Sequence, residues 1–130
     1  MDGFELKLAY VNYKCGHLGE SVRLLEKFIS KHLYNDLKID QDPFWKIFAK
    51  QVFVANVMHQ FYLENEVTND DVLSLFNNFE TVKNAIKEFC VFFGSEKDTA
   101  FASYLKCVTD KMVESARTII IEHLCKDYNK

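Results

Sequence analysis

Proline occurs once in this 130-residue chain, at Pro43, and glycine only four times, so few residues are present that turn a backbone sharply. A many-stranded sheet needs a turn roughly every 8–12 residues. So few breakers do not supply that, and helices become the expected material. The apolar residues agree. In "ETVKNAIKEFCVFFGSE", residues 80–96, Val82, Ala85, Ile86, Phe89, Cys90 and Phe93 recur at the spacing of one helix face. Val91 and Phe92 add apolar groups off that face, and a helix that is apolar on two sides is expected to be buried inside others. Lys83, Asn84, Lys87 and Glu88 occupy its opening turns. They form either a solvated start or the polar rim of a binding site.

The same period predicts seven helices. The first runs from about Phe4 to Cys15, with Phe4, Leu8, Val11 and Cys15 inward, and ends at Gly16. The second follows Ser21 as N-cap and carries Val22, Leu25, Phe28, Ile29 and Leu33. Asp40, Gln41 and Asp42 punctuate the chain. Asp42 then caps a third helix with Pro43 in its first turn; it runs roughly from Phe44 to Glu64 and is the longest. Asn69 or Asp70 caps a fourth, through Val72, Leu75, Phe76 and Phe79, and Asp70–Asp71 suit its N-terminal dipole. The fifth is the stretch above, stopped by Gly94. Ser95 with Asp98 starts a sixth, in an imperfect capping box. Thr109 starts a seventh, with Met112, Val113, Ala116, Ile119, Ile120 and Leu124 inward. No repeat, low-complexity tract or linker divides the chain, so residues 1–130 are expected to form one all-α domain.

Charge and motif content narrow the function classes. A net charge of −3 with Lys and Glu interspersed offers no basic surface for nucleic acid and no polybasic membrane patch. No stretch approaches the ~18 uninterrupted apolar residues of a membrane span; the run from Val52 to Val57 is broken by Asn56. The start, MDGFELKLAYVNYK, lacks the pattern of a secretory signal. None of the nine Asn residues stands in an Asn-x-Ser/Thr acceptor. Cys15, Cys90, Cys107 and Cys125 lie far apart and are read as reduced thiols of a cytoplasmic protein. His17, His32, His59 and His123 show no metal-ligand spacing, and the chain has no Gly-rich phosphate loop or nucleophile elbow. No catalysis, cofactor or metal is expected.

Four segments, in order, carry a family likeness. "FELKLAYVNYKCGHLG", through Glu5, Tyr10, Tyr13, Lys14 and Gly19, resembles the first helix of Bcl-2 family proteins. "NEVTNDDVLSLFNNF" looks like the family's short connection into its fourth helix. "NAIKEFCVFFG" lies where the family begins its buried central helix with Asn-Trp-Gly-Arg and an apolar run. "VTDKMVESARTIIIEHLCKDY", with Asp110 early and His123-Leu124 near its end, resembles the next long helix. Residues 17–42 match poorly. The Trp-Gly-Arg is absent: Asn84 and Lys87 keep the Asn-x-x-basic spacing around Ala85 and Ile86, and the Phe92–Phe93 pair lies one residue further on. The sequence stops at Lys130 without the membrane anchor of many relatives. In these respects it is most similar to the compact, anchor-less Bcl-2-like proteins of poxviruses.

The likeness implies a helical bundle around a buried central helix and a groove that takes the BH3 helix of pro-apoptotic proteins. Val54, Met58, Phe61, Phe76, Phe79, Val82 and Phe89 would line that groove. Asn84 and Lys87 would stand at its rim, Lys87 meeting the Asp of the BH3 helix. Lys is a hydrated point charge where Arg is a planar fork. A hydrogen bond to a charged group contributes roughly 1.5–3 kcal/mol, and losing about half of it weakens binding on the order of tenfold. Glu88 beside it would repel the same Asp. Tyr10 and Tyr13 are candidates for a homodimer face, and Trp45 either anchors an interface or closes an end of the core. The resemblance thus implies an inhibitor of apoptosis in the cytoplasm, of the host cell if viral. A second reading is a viral-type inhibitor of innate immune and NF-κB signalling whose groove is closed. A third follows from residues 80–98 and 108–121, which also look like the later helices of interferon-gamma-type cytokines.

Overall fold

A computed structural model describes residues 4–33 and 43–128; the expected turn at Asp40–Asp42, with its Asp42 cap, lies outside the described residues. Among these the structure is all-helical, without a strand. The helices are α1 (Phe4–Lys14), α2 (Leu18–Leu33), α3 (Pro43–Tyr62), α4 (Asn69–Leu75), α5 (Phe79–Phe93), α6 (Ala102–Leu105) and α7 (Asp110–Tyr128), with a 3-10 turn at Lys97–Thr99.

The centre is α3. From Val52 to Met58, seven consecutive residues are each no more than 3% exposed. A helix can bury seven in a row only if other helices cover it all round. Helices α2, α5 and α7 pack along it, and Tyr10 and Tyr13 of α1 lay their rings on Phe61 near its end. Phe53 stacks between Phe28 of α2 and Phe76 just after α4, at centroid distances of 5.7 and 5.8 Å. Such pairs add about 0.5–1.5 kcal/mol each beyond their buried area. Asn56 interrupts the apolar run at low cost, since its side-chain Nδ2 donates to the Val52 carbonyl at 2.9 Å within the helix.

This corrects the expectation that residues 80–96 form the buried helix. The inward face of α5 is as read, with Val82, Ala85, Ile86, Phe89, Cys90 and Phe93 all buried, but Val91 is 76% and Phe92 42% exposed. Its partners lie on one side only, and the Phe92 ring covers itself by stacking on Tyr62 at 4.0 Å.

Helices α1 and α2 form an antiparallel hairpin. Gly16 makes it possible: its φ of +83° lets Gly16 N–H reach Tyr13 O and His17 N–H reach Asn12 O, the Schellman closure. The chain enters α2 at once, so Ser21 is not its cap. Ser21 is buried inside the hairpin, where its hydroxyl donates to Ala9 O at 2.8 Å. Helix α1 is also rolled from its expected face. Leu6 and Ala9 are buried with Tyr10 and Tyr13 half-buried beside them, while Phe4, Val11 and Cys15 are exposed. Residues 6, 9, 10 and 13 have helical spacing too, and the contact with Phe61 selects them. Helix α4 starts one residue early, after Thr68, whose N–H and hydroxyl both donate to the Asp71 carboxylate. It stops at Leu75, because Asn78 caps α5 through Thr81 N–H. The expected capped helix at Ser95 is instead the 3-10 turn and the single turn α6. The inward face of α7 is as read: Val113, Ala116, Ile120 and Leu124 are buried, with Met112 and Ile119 half-buried.

Arg117 on α7 ties the end of α4 into this frame. Its guanidinium donates to Phe76 O at 2.8 Å and Asn77 O at 3.3 Å, and grips Glu114 through two further bonds. Those bonds hold the Glu114 carboxyl below its ordinary value of 4.5, chiefly by hydrogen bonding and secondarily by charge. Arg117→Ala is expected to cost about 1.5–3 kcal/mol in urea unfolding at pH 7. Glu114→Gln should cost below about 1 kcal/mol, because that pair is solvent-screened. Its sign with pH follows from the lowered value: the contribution is complete above 4.5 and vanishes as pH falls through the folded-state value. The wild-type and Glu114→Gln stability curves should therefore converge in acid.

A second test concerns Glu64, which ends α3 at φ +65° in the same Schellman geometry that Gly16 adopts. A side chain there costs about 1–2 kcal/mol. Glu64→Gly should raise the melting temperature by about 3–5 °C, and an unchanged or lower value would show that the Glu64 side chain stabilises the turn.

Candidate binding site

The residues expected along a groove are in the core. Val54, Met58, Phe61, Phe76, Val82 and Phe89 are each at most 1% exposed, and Phe79 is half-buried. Their faces are occupied by the chain itself: Met58 Sδ by Ser21, Phe61 by Tyr10 and Tyr13, Phe76 by Phe53, and Phe89 by Phe93 and Phe101. Helices α3 and α5 meet directly along these residues. Tyr10 and Tyr13 are engaged in the same packing, and the Tyr10 hydroxyl donates to Glu64 O. Burial raises the Tyr13 phenol above its ordinary value, with Tyr62 and Glu64 adding to the shift. Trp45 is half-buried against Phe44 and Phe48, beside a shallow depression that α7 shares through Ile119 and Thr118.

Only Asn84 and Lys87 of the expected set are exposed. Glu88 beside them pairs with His59 on α3, so its charge is answered from within the fold. Lys87 makes no hydrogen bond or ion pair with a described residue. It stands instead on the rim of a different cleft of about 640 Å³, between one flank of α5, α6 and the start of α7. That volume is in the range of small-molecule sites. Ile86, Cys90, Leu105, Val108 and Val113 form its apolar floor, and Lys83, Lys87, Lys106 and Asp110 its charged edge.

Local structure explains the arrangement. Lys83 and Lys87 are one helical turn apart on α5. Lys83 reaches Asp110 at the head of α7, at 3.2 Å, and closes one end. At the other end α5 stops at Gly94, where a β-carbon would lie 3.6 Å from Lys106 Nζ. That places an ammonium near the negative end of the α5 dipole. Between the two ends the Cys90 thiol donates to Ala102 O at 3.3 Å and joins α5 to α6. Burial pushes that thiol up, opposed in part by the Lys106 charge. Lys106, Leu105 and Val108 were not singled out from the sequence. Their signal, a basic residue two positions before an apolar one, is too common to read without knowing that α6 folds back over α5.

Comparison of the chain with protein-family models, curated proteins and solved structures gave no match. Among the described residues no helix is long and apolar enough to cross a membrane, and no group of three or more His, Cys, Asp or Glu side chains could hold a metal ion.

The four thiols differ enough in exposure to report on the cleft. Cys15 and Cys107 are exposed, Cys125 is half-buried and Cys90 is buried. With iodoacetamide at pH 8, mass spectrometry should find Cys15 and Cys107 modified first. Cys90 should follow at least tenfold more slowly, since its thiolate is both scarce and shielded. Equal rates at Cys90 and Cys15 would mean that the cleft is open to its floor.

Proposed function

We propose that this chain is a non-enzymatic, Bcl-2-like binding protein that inhibits signalling through its outer surfaces, its BH3 groove being closed. One observation carries the reading: six of the seven apolar residues expected to line the groove are at most 1% exposed and packed by the chain's own side chains. A peptide helix would have to displace that packing, and large-to-small changes in such cores cost several kcal/mol each. The gain from one docked helix does not offset several such losses. The innate immune and NF-κB reading fits this state, because it needs a rigid shape rather than an open channel.

BH3 capture is the second reading, and Lys87 favours it. It is exposed, has no hydrogen-bond or ion-pair partner among the described residues, and stands at the position the resemblance gives to the family's basic residue. Calorimetric titration separates the two. With a panel of BH3 peptides at tens of micromolar protein, no heat is expected. Micromolar or tighter binding, lost at least tenfold in Lys87→Glu, would replace the closed-groove reading with BH3 capture.

A further inference from the structure

The cleft beside α5 has the features of a small-ligand site in its own right. Its floor residues line it yet are barely wetted: Ile86 is 4%, Cys90 6%, Leu105 2% and Val113 3% exposed. Side chains so little exposed are fixed by the core behind them and offer a rigid apolar surface. A helix is about 10–12 Å across; a single hydrocarbon chain is far slimmer and suits a cleft of about 640 Å³. Along α5 the cleft runs from Lys83 to Gly94 just past the helix end, eleven residue steps or roughly 16 Å.

Charge selects the other end of the ligand. Lys83 is neutralised by Asp110. Lys87 on α5 and Lys106 just after α6, both lining the cleft, make no ion pair or hydrogen bond through their ammonium groups with a described residue. Two cations over an apolar cleft complement a molecule with an anionic head and an apolar tail. We infer that the α5–α6–α7 cleft binds a long-chain carboxylate, with its tail on the apolar floor and its head on the lysine edge formed by Lys87 and Lys106. The cleft shares Lys87 with the groove considered above, but its apolar floor of Ile86, Cys90, Leu105 and Val113 is made of other residues.

Dodecanoate, kept below its micellar concentration, is the probe. Calorimetry should give one site per chain, weakened tenfold or more in the double variant Lys87→Glu/Lys106→Glu, with circular dichroism confirming that the variant is folded. Dodecyltrimethylammonium, with the same tail and opposite charge, should bind at least tenfold more weakly than dodecanoate to the wild type. In the unaltered protein dodecanoate should slow iodoacetamide modification of Cys90 and leave Cys15 unchanged, a readout that needs no variant. Equal binding of the two amphiphiles, an unaffected double variant, or an unprotected Cys90 would each overturn the assignment. So would an acidic amphipathic peptide that protects Cys90 where dodecanoate does not, which would make the cleft a protein-docking site.

Discussion

The enclosure of α3 is the constraint on which the rest of the structure depends. A helix buried on every side must find cover in every direction, and no single neighbour can provide it. Helices α2, α5 and α7 each present an apolar stripe to it, and α1 contributes two tyrosine rings. The aromatic stack through Phe28, Phe53 and Phe76 crosses three parts of the chain and sets how closely they approach. Ala49 and Ala55, both fully buried, leave room for side chains from the helices around them.

That packing also decides where surface chemistry can occur. Every side chain spent on α3 is one fewer available to a partner, so the face between α3 and α5 is closed by the demands of the core. The flank of α5 that carries Lys83 and Lys87 lies at the edge of that core. There the single turn α6 covers part of the helix and leaves a cleft, edged by lysines because Lys83, Lys87 and Lys106 must keep their charges in water. Glu88 and His59 show the opposite outcome: two polar groups at the α3–α5 seam answer each other.

Much of the fold was legible in the chain. The inward faces of α5 and α7 followed from spacing alone, since both helices are amphipathic and one face has no competitor. Gly16 announced the hairpin turn. Other features had two solutions of equal local quality. In α1 the stripes 4-8-11-15 and 6-9-10-13 both have helical period, and only the position of Phe61 distinguishes them. Ser21 reads as a cap from its neighbours but is a buried donor once α1 lies against α2. Of the candidate site, Lys87 and Cys90 were visible as residues of interest, but their cleft was not. Its other wall comes from residues 105–113, and sequence spacing does not show which outer face a short helix will cover.

By itself, then, the sequence determined that this chain is helical, where α1 and α5 end, and which stripe of α5 and α7 faces inward. These are local properties, governed by hydrogen bonds and periodicities within a few residues. Only the tertiary structure decided that α3 rather than α5 is the centre, that the residues between them are core, and that Lys87 and Lys106 share an edge. Each of these depends on residues distant in the chain competing for the same space, and that competition is resolved only when all the helices pack at once.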